Sequence, residues 1–242
     1  MTSSKIAAVV LGAGKGTRMK SDLPKVLMPI CGKPMIRNIL DTLDGMDADK
    51  IVVVTAPDGE LVRKEVAPHR SVIQQQQLGN AVMAAAPVLE GFDGDVLTIF
   101  GDHPIITKET FLKAVDKRRE GYAVVVLGFR PEDAARYGRL VVNNGELEKI
   151  VEFKDASDEE KAITLCNSGV MCFDGSLMFD ILREIGNENA AHEYYLTDAV
   201  AIARARGLKC GVVECPAEEV AGANTREELA LLEQYLMKRE GK

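Results

Sequence analysis

With 242 residues, 46% of them hydrophobic and 28% charged, the chain can bury a sizeable core and is too apolar to be disordered. A net charge of −7 argues against general electrostatic binding to nucleic acid, and no apolar run reaches the length of a membrane span. Cys31, Cys166, Cys172, Cys210 and Cys215 lack the paired spacing of a zinc site and no signal peptide precedes them, so free thiols in a reducing cytoplasm are expected.

Ala7 to Leu11 is a short apolar run rich in Val, which predicts a buried parallel strand. Gly12, Gly14 and Gly16 then alternate with Ala13 and Lys15, so the backbone can turn its N–H groups onto an anion. Lys15, Arg18, Lys20 and Lys25 add cations, and Arg18 offers a planar, two-pronged grip on phosphate. Thr17 stands where the dinucleotide fingerprint needs glycine, and no Gly-Lys-Ser/Thr follows at P-loop spacing. The stretch matches neither motif and still reads as a phosphate loop.

Pro34 to Leu43 carries apolar residues at helical spacing, and Lys50 to Thr55 is a second buried strand, completing a βαβ unit. Glu60 to Ala67 predicts a short helix. Ser71 to Gln75 predicts a strand running into the glutamine tract Gln74 to Gln77 at the sheet's ligand-facing edge, and Ala81 to Leu89 an alanine-rich helix. The strand Asp95 to Phe100 delivers Gly101-Asp102-His103-Pro104 at its end, where a carboxylate is placed for a metal or a ribose. Thr107 is the better cap for the helix Lys108 to Gly121, which leaves Asp102 for other work.

After a strand over Tyr122 to Phe129, Arg139 to Val142 and Glu146 to Glu152 flank Asn143-Asn144-Gly145, an Asn-Gly hairpin turn. With the charged tract Lys154 to Lys161, this hairpin reads as a lid over the ligand edge. A strand over Cys166 to Phe173, helices over Ser176 to Ile185 and Ala199 to Arg206, and a strand over Lys209 to Cys215 follow. Thr225-Arg-Glu-Glu228 is a capping box opening a last helix to about Lys238. The expected fold is a doubly wound, mostly parallel, Rossmann-like α/β sheet with an inserted β-hairpin lid. It is expected as one domain over 1–242: a nucleotide half to about 120, a sugar-phosphate half over 121–225 and a C-terminal helix.

The stretch Leu11-Gly-Ala-Gly-Lys-Gly-Thr-Arg-Met19, followed by Leu23-Pro-Lys-Val-Leu27, resembles the signature of sugar-1-phosphate nucleotidyltransferases. It is most similar to the uridylyltransferase domain of the bifunctional N-acetylglucosamine-1-phosphate uridylyltransferase family, and the likeness runs along almost the whole chain. The resemblance implies Arg18 and Lys25 as catalytic residues, with Leu11, Gly12, Ala13, Gly14, Lys15, Gly16, Gln74, Gln77 and Gly79 on the nucleotide. It implies Gly138, Glu152, Asn167, Tyr195 and Thr197 on the sugar phosphate, and Asp102 and Asn224 sharing Mg²⁺. The implied reaction joins UTP and N-acetylglucosamine 1-phosphate into UDP-N-acetylglucosamine and pyrophosphate. Its partners are these small molecules, without nucleic acid or membrane; no oligomeric state is implied.

Two departures stand out. Where the family has Gln-Leu-Gly-Thr-Gly-His this chain has Gln77-Leu-Gly-Asn-Ala-Val82, and His103 replaces a residue that is more often apolar. The sequence carries no hexapeptide repeats of the family's β-helix acetyltransferase domain. Two rival readings remain: the same fold acting on another pair of substrates, as in a cytidylyltransferase or another nucleotide-sugar synthase, and a non-catalytic nucleotide-sensing module.

Overall fold

The computed structural model describes residues 5–14, 16, 19, 21–74, 81–134, 137–239 and 241. The chain runs through β1 (Ile6–Leu11), a small hairpin of β2 (Pro29–Ile30) and β3 (Lys33–Pro34), α1 (Met35–Asp44), β4 (Lys50–Thr55), α2 (Glu60–Val66) and β5 (Arg70–Ile73). It continues through α3 (Ala86–Leu89), β6 (Asp95–Phe100), α4 (Lys108–Arg119), β7 (Val124–Phe129), β8 (Arg139–Asn143), β9 (Glu146–Val151), α5 (Asp158–Lys161) and β10 (Cys166–Asp174). The final elements are α6 (Gly175–Leu182), α7 (Asp198–Ala205), β11 (Cys210–Glu214) and α8 (Arg226–Arg239).

The main sheet has the order β11-β7-β10-β6-β1-β4-β5, with β8 and β9 attached beside β10. Strand β10 runs antiparallel to both neighbours, and the other pairs along that path are parallel. Side chains alternate between the two faces of each strand. Ala8 and Val10 pack with Ile36, Ile39, Leu40 and Phe111 under α1 and α4, whereas Ala7 and Val9 pack with Leu89, Met178 and Val200 on the opposite face. The expected alanine-rich helix over Ala81 to Leu89 is instead a 3₁₀ turn, Val82–Ala85, followed by the single α-turn of α3. Pro87 lies in the first turn of α3, where its missing N–H is harmless; in the middle of a longer helix it would remove a hydrogen bond.

The Asn143-Asn144-Gly145 turn forms as its sequence predicts, with positive φ at Asn144 (50°) and Gly145 (82°). Leu140, Leu147 and Ile150 tie the hairpin into the core beneath α7. The hairpin is therefore anchored along its length, and only its open end, Gly138 and Glu152, meets the ligand edge. The capping box of α8 also forms: the Glu228 N–H donates to Thr225 Oγ1 (3.1 Å) and the Thr225 N–H to Glu228 Oε2 (3.2 Å). Leu229, Leu232 and Leu236 lay α8 over Met19, Ile30, Met35 and Ile105, so the last helix packs on the segment that follows β1.

Candidate active site

One cavity of about 510 Å³ opens along the C-terminal ends of β1 and β6 and the start of β10. Because β10 runs against β6, its first residues lie at the same edge as the last residues of the parallel strands. Leu11, Ala13 and Gly14 line the cavity on one side, with Lys25, Gln74 and Asp102. Gly138, Glu152, Asn167, Tyr195 and Thr197 line the other. The sequence therefore assigns to one ligand site residues up to 186 positions apart, and the fold gathers them.

Within the loop, not every glycine serves the cavity. The Gly12 N–H donates to Val54 O (2.8 Å), so it is spent on the sheet, and Gly12 is not among the residues that line the cavity. Gly16 has a φ of +58°, and a Cβ there would fall 2.3 Å from Lys25 Cβ; only glycine lets the loop close on that residue. Lys15, Arg18, Gln77 and Gly79 lie outside the described residues.

Lys25 is the junction of the site. Its Nζ forms an ion pair with Asp102 Oδ2 and donates to Asn224 Oδ1 at 2.7 Å, and the Lys25 and Asp102 side chains are only 12% and 16% exposed. Asn224 is 199 residues away in sequence and is brought there by the start of α8, where its own N–H is held by Glu228 Oε2 at 2.6 Å. Thr107, as expected, caps α4 by accepting from the Thr110 N–H (3.2 Å), which leaves Asp102 to the cavity. Among the described residues no three His, Cys, Asp or Glu side chains form a closed metal cage. Two hard oxygens, Asp102 Oδ2 and Asn224 Oδ1, do converge on a single cationic centre, the arrangement suited to a divalent ion that draws its remaining ligands from phosphate and water.

His103 extends this cluster. It is buried and lines the cavity, and among the described residues its Nδ1 has no hydrogen-bond partner. Burial lowers its pKa, opposed by the nearby Asp102 carboxylate and helped by Lys25, so the imidazole is held toward neutrality. A Cβ on residue 222 would lie 3.1 Å from Asp102 Oδ2 and 3.3 Å from His103 Nε2, so Gly222 keeps the space between carboxylate and imidazole clear.

At the far end, Thr197 Oγ1 donates to Glu152 Oε1 (3.1 Å). Burial pushes the Glu152 carboxyl up, the Thr197 bond opposes this, and Asp155 and Asp198 add to the rise. The Asn167 N–H donates to Gly138 O (2.8 Å), and Asn167 Oδ1 accepts from the Gly169 N–H (2.9 Å), which fixes the side chain at the bulge entering β10. Sequence reasoning missed Arg139 as a support for this wall. Its buried guanidinium donates to the carbonyls of Ala134 (3.2 Å), Tyr137 and Lys161 (3.4 Å), setting the loop that carries Gly138. A charged residue at the start of a strand gave no signal that it would be buried. Phe100 and Met171, read from the sequence only as strand residues, also line the cavity.

The profile of the MobA-like NTP transferase domain family matches residues 8–193. The chain is 51% identical over 240 residues to the bifunctional protein GlmU of Rhodospirillum rubrum, covering 98% of this chain and 54% of that protein. It is 49% identical over 243 residues to the protein of the same name from Paramagnetospirillum magneticum, covering 99% and 54%. The chain thus spans about half the length of these relatives. Among solved structures it is similar to one described as a glucose-1-phosphate thymidylyltransferase from Bacillus anthracis, with a TM-score of 0.74, 17% identity and coverage of 95% of this chain and 94% of that one. That likeness concerns the fold alone.

Proposed function

The chain belongs to the MobA-like NTP transferase domain family, and we propose that it transfers a uridylyl group from UTP to N-acetylglucosamine 1-phosphate. The products are UDP-N-acetylglucosamine and pyrophosphate. The observation that carries this reading is the polarity of the cavity, with Lys25 and the glycine loop at one end and Glu152, Asn167 and Thr197 at the other. Anionic phosphates suit the first end and an amide-bearing, hydroxyl-rich sugar suits the second. The extended similarity to the GlmU proteins supports the same choice.

A phosphate monoester has a second pKa of about 6, so the sugar phosphate is largely dianionic at neutral pH and needs no general base. Its oxygen attacks the α-phosphorus of UTP; the new P–O bond forms as the bond to the β-phosphate oxygen breaks, and pyrophosphate leaves. The protein's task is alignment and charge neutralisation. Lys25 Nζ meets the charge that builds at the α-phosphate, and the Gly14 backbone, with Lys15 and Arg18 assigned from sequence, holds the leaving phosphates. Nucleotidyltransferases of this family generally use a divalent metal. Mg²⁺ bound by Asp102 and Asn224 would supply further neutralisation at the transferring phosphate. Glu152 accepts sugar hydroxyls, and Asn167 and Thr197 fix the ring's orientation. The setting we propose is the cytoplasm.

The test is pyrophosphate release with Mg²⁺ from UTP, CTP, dTTP, ATP or GTP, each offered N-acetylglucosamine 1-phosphate, glucose 1-phosphate or phosphocholine. Release with UTP and the acetylated sugar alone is expected. Preference for another pair would overturn the substrate assignment, and nucleotide binding without any release would point to a sensing module.

A further inference from the structure

Lys25 stands in the place where its two oxygen partners would hold a metal. Asp102 Oδ2 and Asn224 Oδ1 approach the same Nζ, from positions 77 and 199 residues along the chain, and the Lys25 and Asp102 side chains are largely shielded from water. An ion that took both oxygens would have to enter the space the ammonium fills. The two cations compete for it, because both would lie against Asp102 Oδ2 and Asn224 Oδ1, and like charges at contact distance repel strongly where water is scarce.

We infer that Lys25 is a placeholder cation, holding the metal oxygens together until phosphate draws its ammonium away. This rests on the assignment of Asp102 and Asn224 as metal ligands. Without nucleotide, the carboxylate and the amide are the acceptors on Lys25. A triphosphate in the loop offers the ammonium stronger anionic acceptors, and its departure exposes both oxygens to the metal. Metal and nucleotide therefore favour each other's binding through one side chain, and by linkage the coupling is equal in both directions. The ammonium also prevents a bare metal from settling in the site ahead of its nucleotide, and it keeps Asp102 from being left as an unpaired, half-buried charge.

The experiment is Mn²⁺ binding to the nucleotide-free protein, followed by electron paramagnetic resonance of the free ion. Lys25→Met removes the competing cation and is expected to bind Mn²⁺ about tenfold more tightly than the wild type, within the usual span of such couplings. Lys25→Gln, closer in polarity, carries the same expectation should the methionine variant fold poorly. Adding Asp102→Asn to either variant must abolish the tight binding. If Asp102→Asn removes Mn²⁺ binding but neither Lys25 variant binds tighter than the wild type, the metal assignment stands and the placeholder role is wrong. If tight Mn²⁺ binding survives Asp102→Asn, the metal lies elsewhere and both fall.

Discussion

Glu152 shows how a carboxylate lining the cavity sets a cost against stability. Its carboxyl is pushed up by burial before any neighbour acts, and Asp155 and Asp198 add like charge. A folded-state value above the unfolded one, about 4.3 for glutamate, means that the native state binds the extra proton. The stability present below that pH is lost as pH rises through the raised folded value. Glu152→Gln removes the titration, so thermal unfolding followed across the acid range is expected to show a flatter profile, with the variant more stable than the wild type at neutral pH. The same change should raise KM for the sugar phosphate by about tenfold, the loss of one charge-assisted hydrogen bond, with KM for UTP unchanged. A variant as pH-dependent as the wild type would show that another group carries the effect. The wall behind Glu152 depends on Arg139, whose guanidinium is occupied by backbone carbonyls and lies over the Phe153 ring at 5.8 Å.

Helix α8 has no residue lining the cavity, yet it sets the position of Asn224, whose amide oxygen meets Lys25. Its capping box fixes Thr225 and Glu228, Glu228 holds the Asn224 N–H, and Asn224 meets Lys25. Leu232 is buried against the third core cluster, whereas Leu231 beside it is 64% exposed. Leu232→Ala is expected to cost about 2–5 kcal/mol in urea unfolding, and Leu231→Ala no more than about 0.5 kcal/mol. Equal losses would mean that α8 packs by its other face. Much at this scale was legible in the sequence. Val-rich runs mark β1 and β4, the Asn144-Gly145 pair marks its hairpin, and Thr225 with Glu228 marks the start of α8, because each depends on neighbours in the chain. The direction of β10 was not legible, since nothing local distinguishes an antiparallel central strand from a parallel one. Nor was the 3₁₀ turn before α3, where apolar spacing suggested one helix and the place of Pro87 decided otherwise. At the site, the side chains converging on Lys25 could be named from motifs, but their direct contact across 199 residues depends on the folded sheet.

Over the whole molecule, the two faces of the sheet carry separate core clusters and a third binds α8 to the loop that follows β1. A ligand in the cavity would lie against segments from both faces of the sheet, from Leu11 to Thr197, and so should stabilise both. At a hundred times its dissociation constant, Mg²⁺-UTP is expected to add about 2.7 kcal/mol, seen as a rise in Tm of about 5–11 °C. Asn224→Ala should shrink that rise. An unchanged rise in this variant would remove Asn224 from the nucleotide-bound site. Among the described residues, no helix is long and apolar enough to cross a membrane, and all five cysteines are free thiols.

The contact between Lys25 and Asn224 also bears on the protein's synthesis. A ribosome delivers Lys25 early and Asn224 only after another 199 residues, so a growing chain can assemble the phosphate loop and most of the sheet while the site still lacks its last oxygen. On the function proposed above, chains abandoned before that point would be unable to spend UTP, and competence to turn over substrate would arrive with translation of the segment that leads into α8.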